Sequence, residues 1–485
     1  MKQKKQQSNK ITEHLPDKAP LVVIGGGMAG LCATIEAAKG GSPVLVLDAG
    51  KEPGKKILAT GNGRCNITND WQGPECYRSD EPLELERLGI GSPELSREVR
   101  SFFQKELGVL CHDRNGYVYP RTDQASTVQK ALIAKAIELG VRICSDVRAT
   151  DLIRMGDGRY QIAAAPAAAA EHLEYRDVNS VSEIRRITTD AVILAAGGLV
   201  SGLYGCRGNG YSMAQNLGHH LAVTAPALCS IRIDETERRC LSMAAGIRTH
   251  GKIMLYEDDC EMASSEGELQ LTAEGISGIP AFQVSRFLNK AYASAVHSGE
   301  CTHTPSFTAV LDFLPELESD QWEQERANRL SKADSFMGTL QDFCLGLVPD
   351  RVAAWLIADL GGVAEQKVRK RIEKDGKESA LEFLNQLLAA MRCKKLPAVP
   401  SCEMACYEKA QVTAGGVLLS EISGSMESRF SKRCYLAGEL LDVDGMCGGY
   451  NLTFAIHSGR LAGRAAAESL HHCETAVNAT LGNSD

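Results

Sequence analysis

The patterned part of the chain opens with Leu21-Val-Val-Ile24, a short β-branched apolar run that ends in glycine. From Met28 to Lys39, Leu31, Ile35 and Ala38 recur at helical spacing until Gly40-Gly41 stops the run. Pro43 to Asp48 (PVLVLD) predicts a second buried strand. Strand, helix and strand in so short a stretch make a βαβ unit, which implies a parallel sheet. Further on, the pattern predicts a helix over Asp123–Leu139, a strand over Val141–Ser145 and a buried strand over Val192–Ala195. The segment Ala163–Ala170 (AAAPAAAA) is low in complexity and reads as a surface connection.

After about Gly210 short strands and turns take over. From about Glu316 to Lys395 the period becomes helical, with helices expected at Trp322–Ala333, Val352–Leu360 and Ala380–Arg392. Strand signals return at Val412–Leu419 and Cys434–Ala437, followed by a helix near Leu452–Leu470. The order predicts a discontinuous α/β domain, a mostly β domain inserted in it, and a helical piece inserted in that.

Composition narrows the function. A chain of 485 residues with 44% hydrophobic and 24% charged residues is an ordinary globular chain, large enough for about three domains. Its 53 basic and 61 acidic residues leave a net charge of −8, and aromatics make up 5%; both oppose a nucleic-acid partner. Seventeen cysteines, an odd number with no C-x-x-C, point to reduced thiols and a cytoplasmic location, with no metal site. The longest uncharged stretch, Ala19–Ile35, is interrupted by glycines and too short for a membrane span. The lysine-rich stretch up to Lys18 has no apolar core before Leu21 and reads as a flexible tail.

The sharpest local motif is Gly25-x-Gly27-x-x-Gly30, after a strand, opening a helix, with Asp48 at the end of the next strand. Gly25 permits the tight turn, Gly27 lets the backbone approach a pyrophosphate, and Gly30 lets helix and strand pack closely. Met28 and Ala29 complete the helix N-terminus, and Asp48 is placed to accept from a ribose hydroxyl. This predicts a dinucleotide site. The polar, glycine-rich run from Gly54 through Gly63, Arg64, Cys65 and Asn66 follows directly. Glycine-rich strand ends recur at Gly197-Gly198 and at Gly438, Glu439 and Asp442, then Gly448-Gly449-Tyr450-Asn451 leads into a helix. Such segments suit a long extended cofactor, FAD in preference to NAD.

These motifs carry a family resemblance. The runs GKKILATGNGRCNITN (Gly54–Asn69), YPRTDQAS (Tyr119–Ser126), EGISGIP (Glu274–Pro280), VTAGGV (Val412–Val417), SMESR (Ser425–Arg429) and GELLDVDGMCGGYNL (Gly438–Leu452) resemble the BaiN/YhiN-like FAD-binding oxidoreductases from about Leu21 to Ala467. The resemblance implies an α/β fold, with a discontinuous Rossmann-like FAD-binding domain, an inserted β-barrel domain and a helical domain. On this chain the parts fall at 1–19 (tail), 20–210 and 413–470 (FAD-binding), 211–315 and 396–412 (barrel), 316–395 (helical) and 471–485 (tail). It places the adenine beside Val147, the flavin beside Gly63–Asn66, and the ribityl–pyrophosphate part on Gly438, Glu439 and Asp442, with Gly197 also on the cofactor. Asn451 and Leu452 fall at the flavin pyrimidine edge.

The chain departs from the family pattern at Gly208-Asn209-Gly210, Ala273 and Thr453-Phe454. No G-x-S-x-G, H-E-x-x-H or P-loop occurs. Catalytic candidates are Asn66 and Tyr450, with Tyr119 and Tyr211 as further conceivable proton donors. Cys65 and Cys447 read as packing against the ring. Cys402 and Cys406 would share a helix face as core or as a redox pair, and His219-His220 and His471-His472 read as surface pairs. The expected activity is hydride transfer from NAD(P)H through FAD to the C=C bond of an enone such as a 3-oxo-Δ4 bile acid or steroid. Alternatives are an aminoacetone-like amine oxidase, a flavin-dependent tRNA-modifying enzyme and a non-catalytic FAD-binding redox or interaction protein.

Overall fold

A computed structural model of the chain describes residues 15–170, 184–200, 202, 206–298 and 305–481. Two compact units are present: one runs to Thr224 and resumes at Tyr407, and the other is Ala225–Cys406.

The first unit begins with the expected βαβ, β1 (Lys18–Ile24), α1 (Met28–Lys39) and β2 (Val44–Leu47). β1 pairs in parallel with β2, Leu21 opposite Val44, and on its other side with Arg185–Leu194, Leu21 opposite Ala191. Leu21–Ile24 and Val44–Leu47 are buried throughout. Strands of a parallel sheet covered on both faces have no solvent side, which is why the sequence shows unbroken apolar runs there. Across the sheet the order is Arg142–Cys144, β2, β1, Arg185–Leu194, Tyr160–Pro166, Val147–Arg154, with Cys434–Leu436 in parallel beside the end of Arg185–Leu194. The last three strands of that order are antiparallel.

The alanine-rich segment differs from its sequence reading. Ala163, Ala164 and Ala165 are buried in the strand Tyr160–Pro166, the first two paired on both sides and Ala165 on one, and only the turn after Pro166 is a connection. Alanine has little strand preference of its own, so this assignment comes from its neighbours' backbone hydrogen bonds.

α1 is buried from Met28 to Ala37 because the C-terminal helix Tyr450–Leu481 lies against it. Contact is backbone-close: a Cβ added at Gly459 or Gly463 would stand 2.2 Å from the carbonyl oxygens of Ala29 or Ala33. Across the same helix pair, the buried Glu36 accepts from Arg460 Nε at 2.6 Å and Arg464 Nε at 3.2 Å. Burial alone would raise the Glu36 carboxyl, but Arg464 and Arg460 hold it below the usual range. The last helix extends past the expected end at Leu470 into the predicted tail, and β1 starts at Lys18. The rest of the predicted N-terminal tail, 1–14, lies outside the described residues.

The second unit holds a closed barrel of Ile231–Ile233, Gly275–Gly278, Cys260–Leu271, Arg248–Glu257, Phe307–Asp312 and Lys394–Val399, neighbours in that order and antiparallel. Ile231, Ile233, Ile253, Leu255, Leu269, Ile276, Leu311 and Leu396 fill it. Between its last two strands run the helices Ser319–Ser331, Asp350–Asp359 and Lys377–Arg392, packed around the fully buried Trp355. Each starts two or three residues before the apolar repeat does, because its first turn is polar. Among the described residues no helix is long and apolar enough to cross a membrane.

Candidate cofactor site

At the end of β1 the chain must turn at once into α1. Gly25 does so at φ +102°, where an added Cβ would stand 2.3 Å from the Ala195 oxygen. A Cβ at Gly30 would stand 1.8 Å from the Gly25 oxygen, so these two glycines are demanded by packing. Gly27 is different. Its φ of −73° and ψ of −169° suit any residue, and nothing lies within 4 Å of an added Cβ. The missing side chain there serves no contact within the protein and leaves open space before the helix. No side chain caps α1, so the N–H donors and dipole of the Met28–Ala29–Gly30 turn are available to an anion.

Asp48 closes one side of this loop. Its Oδ2 accepts the Gly26 N–H at 2.7 Å and its Oδ1 accepts the Gly50 N–H at 2.7 Å. Burial lifts its pKa, with those backbone bonds and Arg148 pulling the other way. Each carboxylate oxygen keeps a lone pair for a hydroxyl. Val147 donates its N–H to the Asp48 backbone carbonyl at 2.9 Å, so the residues expected at the adenine and at the ribose are neighbours.

The Gly63–Asn66 loop carries unusual backbone, with Gly63 at φ +82° and Cys65 at φ +60°. Gly63 and Arg64 are exposed; Cys65 and Asn66 are buried. Asn66 Oδ1 has no hydrogen-bond partner among the described residues. A buried amide oxygen left so costs about 1–3 kcal/mol, which a ligand donor would recover. Burial pushes the Cys65 thiol up to about 12, and Cys447 likewise, so both are poor nucleophiles. Thr453 Oγ1 donates to Thr68 Oγ1 at 2.8 Å, tying this loop's far end to the last helix.

Of the remaining expected residues, Gly438 lies against the same helix start. Gly438 donates its N–H to Ser458 Oγ at 3.0 Å, and a Cβ on it would stand 2.8 Å from Ala29 Cβ. Glu439 Oε1 accepts the Thr413 N–H at 3.0 Å and Oγ1 at 3.1 Å, while Oε2 meets Lys56 Nζ at 2.5 Å. Gly197 turns at φ +74°, its added Cβ 3.0 Å from Cys206 Sγ. Asp442 is buried, and its Oδ2 accepts the Asp80 N–H at 2.7 Å and Ser79 Oγ at 3.0 Å.

Asn451 exchanges both sides of its amide with Gly445, at 2.8 and 2.9 Å, so its side chain holds a turn and only its backbone, at the start of the last helix, is left for a ligand. Leu452 packs against the core. Tyr450 lies edge-on to Tyr77 with ring centroids 5.7 Å apart, its hydroxyl pushed up by burial. Tyr211 donates to the Glu439 backbone carbonyl at 3.4 Å, and Tyr119 is half-buried beside Arg114.

Two readings of paired residues need correction. His219 is not at the surface: it is buried, with Nδ1 3.0 Å from Glu421 Oε2 and Nε2 2.8 Å from Ser428 Oγ. His219 and His220 follow the helix Asn209–Asn216 and both rings reach Glu421, but only His219 is buried, and its polar type masked a core position. Cys402 precedes the helix Met404–Lys409 and so shares no helix face with Cys406; His471-His472 is exposed, as expected. Sequence reasoning missed Lys56 and Thr413, although both sit inside quoted motifs, since only tertiary pairing marks them out.

The open space at Gly27, the uncapped helix and the orphaned Asn66 oxygen together fit a dinucleotide with a further group to hydrogen-bond. The profile of the HI0933-like protein Rossmann domain matches residues 19–465. The chain belongs to the HI0933-like family. Members of this family, BaiN/YhiN-like proteins, are FAD-dependent oxidoreductases, and the motif resemblance is thereby borne out. This HI0933-like chain is 34% identical over 453 residues to the 3-dehydro-bile acid delta(4,6)-reductase of Clostridium scindens, covering 92% of this chain and 98% of that one. It is 24% identical over 443 residues to the ribosomal RNA dihydrouridine synthase of Escherichia coli, covering 90% and 94%. Among solved structures, a 3-ketosteroid-delta4-(5alpha)-dehydrogenase from Rhodococcus jostii RHA1 is 16% identical with a TM-score of 0.43, covering 93% and 97%.

Proposed function

We propose that this HI0933-like flavoprotein reduces the C=C bond of an enone, a 3-oxo-Δ4 bile acid or related steroid, with NAD(P)H as reductant. The observation that carries the reading is the 34% identity along almost the whole length of a relative named as a bile-acid reductase. We assign the ADP half of the cofactor to Gly25, Gly27, Met28, Ala29, Gly30 and Asp48, with Val147 at the adenine. Gly63, Arg64, Cys65 and Asn66 lie beside the flavin, Gly197, Gly438, Glu439 and Asp442 serve the ribityl–diphosphate part, and the start of the last helix at Asn451 and Leu452 serves the pyrimidine edge. Bound there, FAD supplies the hydride chemistry between nicotinamide and alkene.

The chain's own residues bind and orient. The first turn of α1 holds the diphosphate, Asp48 holds a ribose hydroxyl, and Asn66 Oδ1 takes a donor that the protein does not provide. Positive backbone dipole at the last helix stabilises negative charge near its start. Tyr450 keeps its proton, being buried, and is a candidate donor along with Asn66 as a positioning group.

The test is the visible spectrum of the purified protein, followed anaerobically after NADH and then NADPH. Bleaching of flavin bands near ~450 nm by one nucleotide, and recovery on adding an enone bile acid, is the expected result. Bleaching by an amine alone would favour an amine oxidase, and no bleaching by any reductant would favour a non-catalytic flavoprotein. The dihydrouridine synthase relatives raise an RNA base as a second kind of alkene substrate; the lower identity of 24% and the net charge of −8 weigh against it. Recovery with ribosomal RNA and not with enones would reverse that order.

A further inference from the structure

We propose that Lys56 is the cation that holds the diphosphate of the dinucleotide, giving up Glu439 for it when the cofactor binds. The inference rests on the FAD reading above. Lys56 Nζ and Glu439 Oε2 are 2.5 Å apart, and their segments touch the residues on either side of Gly27, Gly26 and Ala29. On one side, a Cβ at Gly26 would stand 2.8 Å from Pro53 Cβ, so the turn that leads to Lys56 lies against the fingerprint loop. On the other, Gly438, which precedes Glu439, comes equally close to Ala29 in the first turn of α1. The ion pair therefore bridges the two walls of the cradle.

The pair is reachable, not sealed: the side chains are 26% and 19% exposed. Glu439 is not orphaned by losing Lys56, because its Oε1 keeps both Thr413 donors. Burial disfavours the ammonium, but Glu439 and Cys206 outweigh it and Lys56 stays charged. A helix N-terminus offers only about half a unit of positive charge. A diphosphate brings two negative charges, so an ammonium beside the cradle gains more from it than from one carboxylate.

The experiment titrates flavin-free protein with FAD and with riboflavin, which lacks the diphosphate, for the wild type, Lys56→Met and Lys56→Arg, at low and high salt. Lys56→Met should weaken FAD binding roughly ten- to hundredfold, the loss of one charge-assisted contact, while riboflavin affinity changes about twofold or less. Lys56→Arg should recover most of the loss, and wild-type FAD affinity should fall with salt more steeply than that of Lys56→Met. An unchanged ratio of FAD to riboflavin affinity in Lys56→Met overturns the proposal. Should that variant fail to fold, the wild type decides: FAD affinity indifferent to salt also overturns it. A wild type that binds no FAD overturns the cofactor reading itself, and so is told apart from failure at Lys56 alone.

Discussion

Gly27 and Gly30 stand three residues apart in one motif, yet the structure gives them opposite dependencies, and a pair of substitutions separates them. Gly27→Glu places a side chain where an added Cβ meets nothing, on backbone that any residue adopts. Stability of the flavin-free protein should therefore change by no more than about 0.5 kcal/mol. The new carboxylate faces the diphosphate position: two like charges ~5 Å apart at an effective dielectric of ~20 repel by about 3 kcal/mol, a loss of roughly two orders of magnitude in FAD affinity. Gly30→Ala does the reverse. Its Cβ would stand 1.8 Å from the Gly25 oxygen, so the helix must move off the loop, at a cost of about 2–4 kcal/mol. The assay is thermal unfolding of flavin-free protein together with flavin absorbance per chain. A Gly27→Glu protein that purifies fully yellow would refute the placement of the diphosphate, and a Gly30→Ala protein as stable as wild type would refute the close approach.

Other predictions follow from the same contacts. Ser428 Oγ accepts the Phe430 and Ser431 N–H groups, so its own proton goes to His219 Nε2 and the ring is neutral. Burial lowers the His219 pKa, against the pull of Glu421; the neutral form's advantage is complete above the unfolded value of 6.5 and is lost as pH falls below it. His219→Gln should flatten that acid-side loss of melting temperature, and an unchanged slope would remove the residue from it. Gly463→Leu, with a Cβ due 2.2 Å from the Ala33 oxygen, should prise the last helix off α1 and destabilise the first unit by about 3 kcal/mol, measured by denaturant unfolding. Cys65 is fully buried and its thiol is pushed up to about 12, well above assay pH, so alkylation of the native protein should spare it in peptide mapping, and rapid labelling would contradict its burial.

Much of the first unit was legible because its information is local. The β1–α1–β2 order, the fingerprint glycines and Asp48 each depend on residues close in sequence, and the unbroken apolar strands report burial on both faces. The motif resemblance extended the reading to distant segments such as Gly438–Asp442, and the match over residues 19–465 agrees with it. By itself the sequence determined the parallel βαβ, the uncapped helix start awaiting an anion, and the order in which strands and helices recur. Tertiary structure decided what depends on a partner far along the chain. Ala163–Ala165 became a buried strand through pairing with its neighbour strands, His219 became a core residue through Glu421 and Ser428, and Asn451 spent its amide on Gly445. Lys56 met Glu439 across 383 positions. A side chain's type fixes which bonds it can make, but only the fold brings the partner within reach, so local pattern is readable in sequence and long-range pairing is not.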